Sequence, residues 1–167
     1  MKNNHHHEIM TGVFMLLALI CTLFITVQTA SRQGMIATKG YDLYAKSITK
    51  ILNEFPKWKA FSVGDEDRRK IFINHKNHYE LGFLSHKKVL DLLDKTSISV
   101  VPSKWEEPFG RTALESTSRG CATIISNRGG LPETTGEAII LKNLDTNNLY
   151  RSIRYLIKNR KERNLLP

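Results

Sequence analysis

The chain has 167 residues, with 25 Lys and Arg against 16 Asp and Glu, a formal net charge of +9 and a pI near 9.7. That length holds one domain of ordinary size with a short appendage, and the basic surplus suits phosphate-bearing ligands, anionic membrane or nucleic acid. Cys21 and Cys121 stand in no metal-ligand spacing and argue against a disulfide framework, while the densest basic cluster, residues 158–163, includes Glu162 and lacks interleaved aromatics, which favours a solvated helical face over nucleic-acid binding.

His5, His6 and His7 read as a solvated tail. Residues 10–31 carry no charge, and residues 13–27 are nearly all apolar. Three readings of this stretch compete: a membrane anchor over residues 11–30, a cleaved signal peptide, and a buried first strand. A bilayer core needs about 20 mostly apolar residues, which the segment reaches only by including Thr11, Gly12, Gln28 and Thr29. The signal reading is the weakest, because one lysine faces one glutamate in the leading region and Gln28 suits a cleavage site poorly. As an anchor, the segment would leave a cytoplasmic globular domain over residues 31–167, since Arg32, Lys39, Lys46 and Lys50 follow it and only Lys2 precedes it.

Beyond Lys39 the pattern alternates. Tyr44, Ile48, Ile51, Leu52 and Phe55 recur at helical spacing and stop at Pro56. Residues 58–63 read as a strand ended by Gly64 and Asp65; a charged stretch, a short strand over residues 80–83 and a helix over residues 86–94 follow. Residues 96–101 are short, β-branched and bounded by Pro102, as a buried strand requires. A helix opening near Gly110, a strand at residues 123–126 and a last helix over residues 147–158 complete an α/β series. Such alternation implies a Rossmann-like, mostly parallel sheet with helices on both faces.

On the strand-loop-helix unit after residue 101 stand Glu107 and Glu115, eight positions apart and straddling Pro108, Phe109 and Gly110. In open α/β sheets ligands bind beyond the carboxyl ends of the strands, where helix N-termini present free N–H groups to phosphate. The segment continues through Ala113, Leu114, Glu115, Gly120 and Cys121 to Gly129, Gly130, Pro132 and Glu133. Together with Lys39-Gly40-Tyr41-Asp42, Val63-Gly64-Asp65 and Leu81-Gly82-Phe83, this order of motifs resembles the donor-binding, C-terminal domain of the retaining family 4 glycosyltransferases, whose pattern is Glu, seven residues, Glu. The resemblance covers residues 39–167.

The resemblance implies the C-terminal half of a GT-B fold that transfers a hexosyl group, with retention, from a nucleoside diphosphate sugar (a UDP-, GDP- or ADP-sugar). By it, Glu107 contacts the donor sugar, Glu115 the ribose, and Lys39 the diphosphate, with Phe109, Gly110 and Arg111 beside the nucleotide and Gly64, Gly82 and Phe83 around its base. Carboxylates suit hydroxyl recognition because each oxygen accepts hydrogen bonds. Glu107 and Lys39 are the catalytic candidates and the others bind donor. The family's other phosphate cation, an arginine after a glycine that precedes the lysine, has no clean counterpart: Arg32 follows Ser31. No metal or other cofactor is implied, and His75, His78 and His86 lack metal-site spacing. The acceptor is unspecified and would be held by an N-terminal GT-B domain supplied in trans. The alternative reading is a non-catalytic nucleotide-sugar-binding module, or a truncated fragment.

Overall fold

Short runs of small and apolar residues with no charge, 98–101 and 122–126, demand burial on both faces, and the structure, a computed structural model, provides it. It describes residues 22–27, 38–64 and 71–166. Among these, six strands form one sheet: β1 (Thr22–Val27), β2 (Lys59–Val63), β3 (His78–Glu80), β4 (Ile98–Val101), β5 (Ala122–Ser126) and β6 (Ile139–Leu141). Their order is β3-β2-β1-β4-β5-β6, and every pairing is parallel. This is the doubly wound order of a Rossmann-like domain, with its switch point between β1 and β4.

The helices are α1 (Tyr41–Glu54), α2 (His86–Leu93), α3 (Arg111–Ser118), α4 (Leu131–Thr134), α5 (Thr146–Lys158) and α6 (Arg160–Leu165). One face of the sheet presents Ala60, Ile98, Val100, Ala122 and Ile124 to Tyr44, Ile48 and Ile51 of α1 and to Leu149, Ile153 and Leu156 of α5. The alternate residues face the other way: Phe61 and Val63 meet Val89 and Leu93 of α2, and Val101 and Ile125 meet Ala113 of α3 and Leu131 of α4. Burying such side chains is the main driving force of the fold. Helix α5 opens on Asp145, whose Oδ1 accepts from the backbone N–H groups of Asn147 and Asn148 at 2.8 Å each. Helix α1 ends at Glu54, before Pro56, as its sequence predicts.

Cys121 is buried against α2, where its thiol donates to the Leu93 carbonyl at 3.4 Å. Burial, with the nearby Asp94 charge, pushes that thiol up to about 12, so it stays protonated and unreactive.

The apolar N-terminal segment needs a correction. Over Thr22–Val27 it is a strand paired on both sides, Ile25 with Phe61 of β2 and with Ser99 of β4. Its backbone groups are spent on the sheet, so a helical anchor over residues 11–30 does not run through this stretch. Residues 11–21 and 28–30 lie outside the described residues, and among those described no helix is long and apolar enough to cross a membrane. Of the three readings, the strand fits residues 22–27, and it occupies the centre of the sheet. The sheet therefore takes in residues upstream of the boundary expected at residue 31.

Two shorter differences concern position. The strand expected at residues 80–83 lies at His78–Glu80, because Gly82 takes a positive φ of 60° and turns the chain away. Helix α4 and strand β6 carry too few residues to show a period.

Candidate functional site

Residues 38–40, which lead into α1, and the loop that leaves β4 meet at the switch point and are tied by their backbones. Gly40, at φ 72°, sits so close to Pro102 that a Cβ there would lie 1.9 Å from the proline carbonyl oxygen. The Thr38 carbonyl accepts from the N–H groups of Lys104 at 2.6 Å and Trp105 at 3.0 Å. Lys104 in turn reaches Asp42 at 2.7 Å. Lys39 is thereby held facing the β4 loop, and its ammonium pairs with Glu107 Oε1. The two side chains are only 19% and 15% exposed, so solvent screens the pair weakly.

Glu107 Oε1 also accepts from the Ser103 hydroxyl at 2.9 Å. Ser103 is buried and its own carbonyl accepts from Ser126 Oγ at 2.6 Å, which ties the loop to the end of β5. The loop is braced from its far side by Gly129 and Gly130. A Cβ at Gly129 would stand 2.3 Å from the Glu107 carbonyl oxygen, and one at Gly130 2.8 Å from that of Pro108. The Gly130 N–H donates to the Glu107 carbonyl at 2.7 Å. The glycine pair is thus required by close approach of two backbones.

Glu106 makes a separate anchorage. Its carboxylate accepts from Arg128 at 2.9 Å and from the Gly129 N–H at 2.5 Å. The Arg128 bond first, and the Gly129 bond second, hold its carboxyl below the usual range. Neither Glu106 nor Glu107 caps α3; Gly110, at φ 73°, fills that position. Phe109 is exposed beside it.

Glu115 lies on α3 with its side chain 16% exposed. Its Oε1 meets His86 Nε2, the first residue of α2, at 3.1 Å and Arg111 Nη2 at 3.4 Å. Its Oε2 is buried with no hydrogen-bond partner among the described residues. Arg119, four residues beyond Glu115 on the same side of the helix, instead forks onto both Asp94 oxygens at 2.9 and 3.0 Å.

On the β2–β3 flank, the Gly64 N–H donates to the Gly82 carbonyl at 2.9 Å, bringing both glycines to the carboxyl edge of the sheet. Phe83 is 67% exposed and so takes no part in the core. The structure thus joins Lys39 to Glu107 and Arg111 to Glu115, and places Gly64, Gly82 and Phe83 together on the flank. Arg32 lies outside the described residues. Among the described residues, no three His, Cys, Asp or Glu side chains group as metal ligands.

Two polar partners escaped the sequence reading. Ser103 stands directly after Pro102, and a hydroxyl four residues before a loop glutamate was the one hint. His86 was weighed only as a metal ligand; its bond to Glu115 spans 29 positions and leaves no local trace.

The fold is that of the C-terminal half of a GT-B protein. It superposes on HepE of Anabaena, solved with UDP-glucose, with a TM-score of 0.73 at 15% identity, covering 94% of this chain and 44% of that one. The C-terminal domain of LpcC, a group 1 family protein from Francisella tularensis, matches with a TM-score of 0.71 at 20% identity over 86% of this chain and 78% of that one.

The chain belongs to the group 1 glycosyl transferases, whose family profile matches residues 33–166. A 42.6 kDa uncharacterized protein of the Klebsiella pneumoniae cps region is 30% identical over 119 residues, 66% of this chain and 30% of that protein. The gpi3 subunit of the Schizosaccharomyces pombe phosphatidylinositol N-acetylglucosaminyltransferase is 30% identical over 117 residues, 66% of this chain and 25% of that protein. The chain thus spans between a quarter and a third of these curated relatives.

Proposed function

We propose that residues 31–167, with β1 completing their sheet, bind a nucleoside diphosphate sugar and form the donor half of a retaining hexosyltransferase of the family 4 type. The observation that carries this reading is the Lys39–Glu107 pair, braced by Ser103, at the switch point of a parallel sheet. Family membership supports it, and so does the likeness in fold to HepE, which was solved with UDP-glucose.

A chemical role follows for each group. The glycosidic bond to the leaving phosphate breaks with its electron pair passing to the diphosphate, and a cation beside that oxygen lowers the barrier. Lys39 supplies this charge, and the donor's diphosphate replaces Glu107 as its partner. Glu107, released from Lys39 and still bonded to Ser103, accepts from sugar hydroxyls. Phe109 and Gly110 offer backbone N–H groups at the start of α3, and Arg111 adds charge there. Glu115 takes the ribose, while Gly64, Gly82 and Phe83 border the base. Protein cations do this work without a bound divalent ion.

Transfer also needs an acceptor site across a cleft, which the proposal gives to an N-terminal GT-B domain, in trans or in a longer polypeptide. A second reading is favoured by the fact that the described residues form one Rossmann-like sheet. In it the chain is a donor-binding module that transfers nothing by itself. Titration calorimetry with UDP, GDP and ADP, run beside a donor-hydrolysis assay, tests both. Binding lost in Glu115→Ala, with hydrolysis at background, selects the module; binding with turnover selects the enzyme. If none of the three nucleotides binds, both readings fail.

A further inference from the structure

We infer that His86 is a positioning residue for nucleotide recognition, fixing Glu115 so that its second oxygen is presented to the ribose diol. The inference rests on the donor-site reading of Glu115 given above.

Glu115 holds two different oxygens. Oε1 has two donors, and because a carboxylate only accepts, the Nε2–H of His86 is the donor of the 3.1 Å bond, with Arg111 behind it at 3.4 Å. Oε2 is buried and has no partner among the described residues. A buried carboxylate oxygen without a donor is unfavourable, so Oε2 calls for a donor from outside the described fold, a water, an ion or a ligand hydroxyl. The split is directional: donors on one oxygen set the rotation of the carboxylate, and that rotation aims the other.

His86 does little else. Its side chain is 59% exposed, and an exposed pair of this kind adds little to stability. What the placement does provide is a tie between α2 and α3 across the edge where Gly82 and Phe83 end. Arg111 cannot replace it. Its side chain is exposed, and its longer contact comes from the same helix as Glu115, so it cannot fix the carboxylate relative to the flank. A vicinal diol offers two O–H donors, and Oε2 is the acceptor left for them.

Calorimetry on the full chain, with UDP, GDP and ADP and the 2′,3′-dideoxy form of whichever binds, tests this. His86→Ala is expected to weaken the ribonucleotide about tenfold, and His86→Gln, whose amide N–H reaches the Nε2 position, to restore most of that loss. Affinity for the dideoxynucleotide is expected to be the same in the unmodified protein and in His86→Ala. Unchanged ribonucleotide affinity in His86→Ala, or equal weakening toward both nucleotides, would overturn the inference. If Glu115→Ala abolishes binding while His86→Ala leaves it intact, only the role of His86 falls. If Glu115→Ala also binds like the unmodified protein, or no nucleotide binds at all, the donor-site reading falls with it.

Discussion

At the β1–β4 junction, Gly40 and Pro102 approach so closely that a methyl group at position 40 would overlap the proline carbonyl, and a half-buried ion pair spans the two loops. On the β2–β3 flank, Gly64 and Gly82 share one backbone hydrogen bond, and a Cβ at position 82 would meet nothing within 4 Å. Both regions lie at the carboxyl edge of the same sheet and both carry glycines with positive φ. The glycines serve different ends: at the junction they allow backbones to touch, and on the flank they let the chain turn. A ligand reaching across both regions would meet interlocked backbones at one end and an open turn at the other.

The sharpest way to break this contrast is Gly40→Ala. The added methyl must displace backbone and also takes an unfavourable φ, so a loss of about 4 kcal/mol is expected, or no folded protein at all. Chemical denaturation measures it. A loss below about 1 kcal/mol would show that the junction yields.

Lys39→Met should follow in size. It leaves Glu107 charged and largely buried without its cation, and a cost of about 2 kcal/mol is expected, below that of breaking a fully buried pair. The same denaturation experiment reads it, and the double variant Lys39→Met, Glu107→Gln should recover part of the loss.

The flank has its own handle in His78. Its Nε2 lies 3.3 Å from Ser62 Oγ, and burial first, then the neighbouring His75, lowers its pKa from 6.5 to about 4. The unfolded chain therefore binds more protons between those values. Stability from the neutral ring is fully present above about pH 6.5 and declines as pH falls toward 4. Allowing for the partial exposure of the ring, the loss is about 1–2 kcal/mol. A series of Tm values across that range should flatten in His78→Gln.

Gly82→Ala is expected to be the mildest, about 1 kcal/mol, because only the φ of 60° opposes the methyl group. Were it as damaging as Gly40→Ala, the distinction between the two edges would be lost.

The legibility of the chain followed the same physics. Helix α1 was readable because its apolar residues recur at helical spacing up to Pro56, and strands β2, β4 and β5 because they are short, apolar runs, the first ended by Gly64 and the second by Pro102. Strand β1 was not, since an apolar run continuing from residue 13 to residue 27 is too long for one strand and matches a membrane span in composition. Only its pairing with β2 and β4 distinguishes it. Lys39, Glu107 and Glu115 could be picked out from motif order, and Lys39 and Glu107 do meet. The partners Ser103 and His86 depend on loop geometry and on helix packing, which local sequence does not encode. The paired glycines 129 and 130 stood out in the motif order, but the backbone of residues 106–108 that they accommodate could not be read from it.

The thiol of Cys121 turns its position behind α2 into a clock. While the helix stays packed on β2 and over Cys121, a water-soluble alkylating reagent finds no thiolate to attack, so modification of this residue waits on an opening that admits solvent to the layer. Mass spectrometry of the peptide that carries it, sampled over time with and without nucleotide, would report how often α2 leaves the sheet and whether a bound ligand slows that departure.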